Sequence, residues 1–220
     1  PSASASTAKS ASKTSIENIP VILLAGGKGS RAGMPKGLID SQGKPWIVHQ
    51  MQKLAAMGFK KIVVVLGYSA ERYQEMMFKH GLFAKVFGDG NRGFNSSSIT
   101  LIQNLKPERG SFSSLQSGVL GLLAKQNKVG IAQNFKQNSA FVLPIDVPCP
   151  PKEVWQALVS GLDYHLAAIP TFEKHGGHPV LLTQKVLIEI CNLNSESSRL
   201  DHLLQKLESE DALVRVATKD

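Results

Sequence analysis

The chain has 220 residues, of which 42% are hydrophobic, 19% charged and 6% aromatic, and its formal net charge is +8. This composition is typical of a globular protein with one large domain, and no apolar run of about 18 residues predicts a membrane span. The positive charge favours anionic partners or simply reflects a solvated surface. Because the cations are scattered and aromatic residues are few, we expect small phosphorylated ligands and no nucleic acid.

The two cysteines and the N-terminal segment give expectations about location and domain organisation. Cys149 and Cys191 provide neither a disulfide framework nor a metal knuckle, which favours a reducing, cytoplasmic setting. Residues 1–15 contain ten Ser or Ala and no large apolar residue. Such a segment buries too little surface to offset its ordering entropy. We therefore expect residues 1–18 to form a disordered tail and residues 19–220 a single domain.

From Pro20 onward, short apolar runs alternate with amphipathic segments. This alternation predicts a three-layer αβα sandwich around a mostly parallel sheet. Ligands of such sheets collect beyond the carboxyl ends of the strands, here after Ala25, Leu66 and Leu143. The predicted strands cover Val21–Ala25, 62–66, 84–87, 98–103, Ala140–Pro144, 165–170, 178–182 and 212–217, and the predicted helices cover 45–57, 69–80, 112–125, 151–162, 184–192 and 198–209.

A glycine-rich loop follows the first strand, whose last residues, Leu24 and Ala25, are predicted with the loop to bind a nucleotide. Without Cβ atoms, the backbone at Gly26, Gly27 and Gly29 can turn sharply and direct N–H groups at phosphate oxygens. Nine residues of this segment also contain three cations that suit phosphate binding: Lys28, Arg31 and Lys36.

Three other interpretations of the loop are weaker. A dinucleotide-binding loop needs an acidic residue about 20 positions on, and no Asp or Glu occurs from Ser41 to Ala70. A Walker-type phosphate loop needs Gly-Lys-Ser/Thr after the glycines, which is missing. A plain surface turn stays open, although three cations in one loop argue against it.

The complete string is more specific than the glycines alone. Leu-Ala-Gly-Gly-x-Gly-x-Arg, then Pro-Lys and Gly43-Lys-Pro45, resembles the signature of nucleotidyltransferases with a glycosyltransferase-A-like fold. The likeness is greatest to the MobA-like molybdenum-cofactor cytidylyl- and guanylyltransferases. It implies that the glycine loop and Arg31 hold the β and γ phosphates of an NTP, and that Lys36 steadies the α phosphate.

Asp146 is the candidate metal ligand. It lies at the end of a predicted buried strand, between Pro144 and Pro148, where a carboxylate could hold Mg²⁺ against substrate phosphates. Capping of the following helix is the structural alternative. The family resemblance favours the metal, because relatives place their metal-binding Asp in the same Asp-x-Pro context.

Two further segments resemble the family. Ser113 and Ser114 lie at a predicted helix start, which suits either plain capping or a nucleotide contact. The Gly-x-x-x-Ser-Leu-x-x-Gly pattern of this segment implies a position near the base and ribose. The Gly-His-Pro-Val segment implies that His178 faces the acceptor or supports a second metal ligand.

The resemblance implies Mg²⁺-dependent attack of a phosphorylated acceptor, such as molybdopterin cofactor, on the α phosphorus of CTP or GTP. Lys36, Arg31 and Asp146 would be catalytic, and pyrophosphate would leave. The loop resembles the guanylyl branch and the Gly-His-Pro segment the cytidylyl branch, so the base stays open, as does the oligomeric state. The alternatives are transfer to a sugar phosphate or another small acceptor, and a nucleotide-sensing module without catalysis. The chain also lacks the Asp-Thr-Pro-x-Asp-like segment with which relatives commonly finish.

Overall fold

The computed structural model describes residues 15–29, 33–82, 98–126 and 138–218. The strands are β1 (Val21–Ala25), β2 (Asp40–Ser41), β3 (Lys44–Pro45), β4 (Lys61–Leu66), β5 (Ser98–Gln103), β6 (Ala140–Pro144), β7 (Ala167–Phe172), β8 (His175–Gly176), β9 (Val180–Leu182) and β10 (Leu213–Ala217). The α-helices are α1 (Trp46–Ala56), α2 (Ala70–Lys79), α3 (Ser111–Gln126), α4 (Lys152–Leu162), α5 (Gln184–Asn192) and α6 (Leu200–Ser209). Short 3-10 turns cover Ile16–Asn18, Lys36–Leu38 and Pro107–Arg109.

Eight strands form the main sheet, in the order β10-β7-β9-β6-β1-β4-β5, with β8 paired to β7. The strands β5, β4, β1 and β6 are parallel, as are β7 and β10. Only β9 and β8 run antiparallel to their neighbours within this sheet, among the described residues. The predicted mostly parallel, mixed sheet is therefore confirmed.

Helices cover both faces of the sheet, because each central strand is apolar on both sides. In β1, Val21, Leu23 and Ala25 pack with α1, α2 and α4 on one face. Ile22 packs with α3, α5 and α6 on the other. These two cores, with the sheet between them, confirm the predicted three-layer αβα sandwich.

The structure differs from the predicted elements in three places. Ile16 is only 4% exposed and packs into the core, so residues 16–18, which were expected to belong to the disordered tail, form an ordered turn. The backbone N–H of Lys60 donates to Glu17 O, which ties this turn to the start of β4. Two short ribbons, β2–β3 and the β7–β8 hairpin, escaped prediction because two-residue strands have no readable period.

The predicted strand at 84–87 and residues 1–14 of the predicted tail lie outside the described residues. Within the described ranges, no helix combines the length and apolarity needed to cross a membrane.

Candidate active site

The strand order of the sheet reverses at β1, and the carboxyl ends of β1 and β6 lie next to a pocket. From β1 the sheet continues through β4 and β5 on one side, and through β6 on the other. The loops leaving β1 and β6 both begin at the carboxyl ends of these neighbouring parallel strands, where ligands of such sheets bind. A pocket of about 470 Å³ lies there, lined by Leu24, Gly26, Gly27, Lys28, Gly29, Lys36, Tyr68, Tyr73, Pro107, Gly110, Ser111, Phe112, Ser114, Leu115, Pro144, Ile145, Asp146, His178 and Leu200.

Close packing explains the first glycine of the loop. A Cβ added to Gly26 would lie 2.6 Å from Ser114 Oγ, and one added to Gly67 would lie 2.6 Å from Gly26 O. The N–H of Tyr68 donates to that same carbonyl at 3.3 Å. Side chains here would push the strand ends apart, so glycine keeps the backbone at the pocket wall.

Gly29 is required by backbone conformation. Its φ is +67°, and a Cβ at this position would lie 2.1 Å from Met34 O. Gly27, in contrast, has nothing within 4 Å of an added Cβ and faces open space, as does the exposed Lys28. The loop thus offers backbone and a cation, but little side-chain bulk, to a ligand in the pocket.

Lys36 and Asp146 meet at the pocket although 110 positions separate them in the chain. Lys36 Nζ donates to Asp146 Oδ2 at 2.6 Å. The two side chains remain 49% and 44% exposed, so the pair is screened by solvent and contributes little to stability. Such a pair can be opened by a charged ligand at small cost. The side chains that the sequence analysis assigns to the α phosphate and to the metal thus lie side by side at one pocket.

The pKa of Asp146 is lowered below its ordinary value. Partial burial raises it, but the hydrogen bond and the positive charge of Lys36, together with a backbone hydrogen bond, outweigh burial. His178 is close enough to act on the same carboxylate. Asp146 is therefore an anion at neutral pH, and we attribute this chiefly to Lys36 because His178 is itself neutral there.

His178 is neutral because burial lowers its pKa, against the opposing effects of the Val142 backbone and Asp146. Its Nδ1 is buried and has no hydrogen-bond partner among the described residues. The ring lies at the pocket wall beside Asp146. Its imidazole is thus available as a neutral polar group next to the carboxylate.

Lys36 is positioned by α2, which the sequence analysis does not single out. The Gly37 N–H donates to the Tyr73 hydroxyl at 3.0 Å. Tyr73 is 1% exposed, and its pKa is raised by burial against the effect of the Gly37 hydrogen bond. An added Cβ on Gly37 would lie 2.7 Å from the Tyr73 ring and 2.9 Å from Ile145 Cγ1. The turn that carries Lys36 is therefore tightly packed.

The two predicted serines have different environments. Ser113 donates to Gly110 O at 2.7 Å and accepts from Asn104 Nδ2 at 2.8 Å, and it is absent from the pocket lining. Its hydroxyl is engaged by Asn104 and by the carbonyl of Gly110, the residue before α3, so these contacts favour a structural role over nucleotide contact for Ser113. Ser114 also accepts from Asn104 Nδ2, at 3.1 Å, but its side chain borders the pocket beside Gly26.

Most of the predicted site residues lie at the pocket. Leu24, Gly26, Gly27, Lys28, Gly29, Lys36, Ser114, Asp146 and His178 line the pocket. Ala25 is buried in the core, so that only its backbone can contact a ligand. Arg31 lies outside the described residues. The sequence analysis missed several lining residues, among them Tyr68, Tyr73 and Leu200, whose types carry no local signal of a site.

The structure also argues against the dinucleotide-binding interpretation of the loop. A dinucleotide-binding loop would lead into a long helix, whereas the next helical residues described are the 3-10 turn Lys36–Leu38.

In the described residues, no group of three or more His, Cys, Asp and Glu side chains is placed to hold a metal ion. A site with one carboxylate suits a cation that binds mainly through ligand phosphates and water.

The αβα sandwich with its mixed, mostly parallel sheet has the glycosyltransferase-A-like fold, and the glycine loop and Asp146 lie at the ends of its central strands. Residues 21–212 match the MobA-like NTP transferase domain, and the chain belongs to this family. The family is one of NTP transferase domains.

Curated relatives match shorter segments. The chain is 40% identical over 55 residues to the UTP--glucose-1-phosphate uridylyltransferase AglF of Haloferax volcanii, covering 23% of each chain. It is 31% identical over 98 residues to the bifunctional protein GlmU of Roseobacter denitrificans, covering 37% of this chain and 22% of that one. The matched segments thus span under a quarter of these curated relatives.

Solved structures share the fold at low sequence identity. A putative glucose-1-phosphate thymidylyltransferase from Bacillus anthracis superposes with a TM-score of 0.64 at 14% identity, over 91% of this chain and 87% of that one. Molybdopterin-guanine dinucleotide biosynthesis protein A from Archaeoglobus fulgidus gives 0.56 at 18%, over 90% and 83%. A manganese complex of the Mycobacterium tuberculosis protein Rv0371C gives 0.60 at 13%, over 91% and 88%.

Proposed function

We propose that this protein transfers NMP from CTP or GTP to a phosphorylated acceptor such as molybdopterin cofactor, with Mg²⁺, and releases pyrophosphate. The observation that carries this proposal is the 2.6 Å contact of Lys36 Nζ with Asp146 Oδ2 at a pocket shared with the glycine loop. The ammonium of Lys36, which suits phosphate, and the carboxylate of Asp146, which suits a metal ion, meet there beside the backbone of the glycine loop.

The proposed roles follow from where charge develops. When an acceptor oxygen attacks the α phosphorus, the bond to the β-phosphate oxygen breaks, and negative charge grows on the non-bridging and leaving oxygens. Lys36 would stabilise the α-phosphoryl oxygens, while the backbone of Gly26, Gly27 and Gly29 and the side chain of Arg31 would hold the departing pyrophosphate. An acceptor that is already a phosphate anion needs no general base.

The chain's residues fit a divalent cation. Asp146 is ionised and half exposed at the pocket, and an oxygen ligand of this kind suits Mg²⁺. Bound there, the cation would neutralise phosphate charge and orient the nucleotide. Lys36 would then leave Asp146 for the α phosphate, because the cation and the ammonium compete for one carboxylate. The manganese complex of the related fold supports a divalent metal without distinguishing magnesium.

The acceptor is proposed to lie beside His178, whose neutral ring borders the pocket next to Asp146. Molybdopterin cofactor is supported by the family and by the Archaeoglobus fulgidus fold relative. A sugar 1-phosphate is the second candidate, because the relative from Haloferax volcanii is named for glucose 1-phosphate and matches at 40% identity.

Pyrophosphate release tests the proposal directly. The purified chain is incubated with Mg²⁺, each of the four NTPs, and either molybdopterin cofactor or a panel of sugar 1-phosphates. Release with CTP or GTP and molybdopterin supports the first candidate, and release with a sugar phosphate supports the second. If no acceptor gives pyrophosphate release but an NTP raises the melting temperature, the result supports the nucleotide-sensing module instead.

A further inference from the structure

The turn that carries Asp146 is held by side chains that lie 97 and 99 positions from their acceptors in the chain. Trp46 Nε1–H donates to Ile145 O at 2.6 Å. Gln50 Nε2 donates to Val147 O at 2.5 Å. Both donors lie on α1, and their acceptors are the carbonyls immediately before and after Asp146. The backbone on both sides of the carboxylate is thus fixed by one helix.

Gln50 makes a second contact with the same segment. Its Oε1 accepts the N–H of Cys149 at 2.9 Å, so a single amide bridges two peptide groups of the turn. Gln50 is 0% exposed, although it lies on a helix face otherwise filled by Ile47, Met51 and Leu54. Burying an amide is costly unless it is hydrogen-bonded on both sides. Its place in this core is explained by the turn that it holds.

The same helix also contacts the segment that carries Lys36. The backbone N–H of Trp46 donates to Ile39 O at 2.9 Å, directly after the Lys36–Leu38 turn. The first turn of α1 therefore touches both charged elements of the pocket. A shift of this helix end would move Asp146 and Lys36 relative to each other.

We propose that Gln50 and Trp46 are positioning residues, which hold the backbone on either side of Asp146 so that its carboxylate meets metal and nucleotide. This inference rests on the proposed function. Neither side chain touches the reacting atoms, so each acts through the turn. Because Asp146 is exposed and has few restraints of its own, the direction of its Cα–Cβ bond depends on the flanking peptide planes. Supporting residues of this kind commonly contribute 10- to 100-fold to metal affinity or activity.

The test uses Gln50→Met, which keeps the volume and removes both hydrogen bonds, and Trp46→Phe, which removes the N–H donor and keeps an aromatic ring. Leu54→Val is the matched control, since Leu54 is fully buried one turn further along the same face of α1. Three quantities are measured: kcat, KM for the NTP, and Mn²⁺ affinity by electron paramagnetic resonance with a non-hydrolysable NTP. Circular dichroism and thermal unfolding confirm that each variant is folded.

We expect Gln50→Met to lower kcat and Mn²⁺ affinity by about 10- to 100-fold, with KM for the NTP within a few-fold of wild type. Trp46→Phe should show a smaller loss with the same pattern, and it carries the test if Gln50→Met does not fold. A purely structural role would lower stability alone. Wild-type kcat and Mn²⁺ affinity in either folded variant, or an equal loss in Leu54→Val, overturns the positioning role. A wild-type protein without turnover would instead defeat the proposed function itself.

Discussion

The turns that carry Lys36 and Asp146 meet at one pocket but are built differently. The Lys36 turn is packed so closely that Gly37 has no room for a Cβ, and the Gly37 N–H donates to the Tyr73 hydroxyl. The Asp146 turn is held through flanking backbone carbonyls by Trp46 and Gln50. Steric fit thus holds the cation, and directed hydrogen bonds hold the acid. The two supports should therefore fail in different ways.

Removing the acid charge should have the largest effect. We expect Asp146→Asn to fold normally and to lose kcat by about 10²-fold or more, because a preorganised charge at the reacting phosphate is lost. Its Mn²⁺ affinity should fall in parallel. Asp163→Asn, an exposed site at the end of α4, is the control for loss of one negative charge. Full turnover by Asp146→Asn would remove Asp146 from the mechanism.

Removing the cation should separate two consequences of the ion pair. We expect Lys36→Met to lower kcat by about 10²-fold while KM for the NTP changes less, since Lys36 acts on charge that grows in the transition state. Mn²⁺ binding to the nucleotide-free protein should tighten, because Asp146 loses its internal competitor. An unchanged kcat, or Mn²⁺ affinity that falls with the substitution, contradicts this account. Lys152→Met, in an exposed ion pair with Glu17, controls for the change in net charge.

Overpacking the Lys36 turn tests the steric support. A Cβ at Gly37 would lie within 3 Å of both Tyr73 and Ile145, so Gly37→Ala should reduce the free energy of unfolding by about 1–3 kcal/mol. Urea denaturation measures this change. Gly27→Ala is the stability control, because its Cβ would meet nothing within 4 Å. Equal stability of the two variants would show that the turn is looser than its packing indicates.

The smallest effect concerns pH and His178. Burial lowers the pKa of His178 below 6.5, so the unfolded chain binds more protons than the folded one as pH falls below that value. Stability from this residue is therefore complete above pH 6.5 and is lost as pH decreases toward the folded pKa. His178→Gln should flatten the decline in melting temperature between pH 7.5 and 5. Parallel curves for wild type and variant would assign the decline to other groups.

Asp146 should not contribute to that decline in the same range. Its folded pKa is lowered, so the stability from its ionised form is present above its unfolded value of 3.8 and is lost only as pH falls further. The melting temperature of Asp146→Asn should therefore decline at least as steeply as that of wild type between pH 7.5 and 5, because His178 loses the carboxylate that partly raises its pKa. Measuring both variants across one pH series separates the two neighbouring groups.

Much of the fold followed from the sequence because its elements are defined by local patterns. The apolar runs at Val21–Ala25 and Ala140–Pro144, and the helix at Gln184–Asn192, have the predicted bounds. Their periodicity and their flanking Gly, Pro and Thr residues lie within a few positions of each other. The two-residue strands β2, β3 and β8 had no such signal and depend on their partners.

The candidate site was accessible to sequence only at residues whose type or spacing is unusual. Gly26, Gly29 and Asp146 were identified because glycines and an acid are unusual residue types at the ends of buried strands. The motif that contains the glycines indicated the family. The motif could not separate Ser113 from Ser114. Asn104 Nδ2 donates to both hydroxyls, and the serines differ because Ser113 also donates to Gly110 O, whereas the Ser114 side chain lies beside Gly26 at the pocket.

By itself, then, the sequence determined the αβα class, the strand ends and the residue types that suit a triphosphate. The tertiary structure decided that Lys36 and Asp146 touch across 110 positions, and that Tyr73, Trp46 and Gln50 hold their turns. Local patterns encode which face of an element is apolar, because that depends on neighbours in the chain. Contacts between distant turns depend on how all the elements pack together, and no short segment of sequence contains that information.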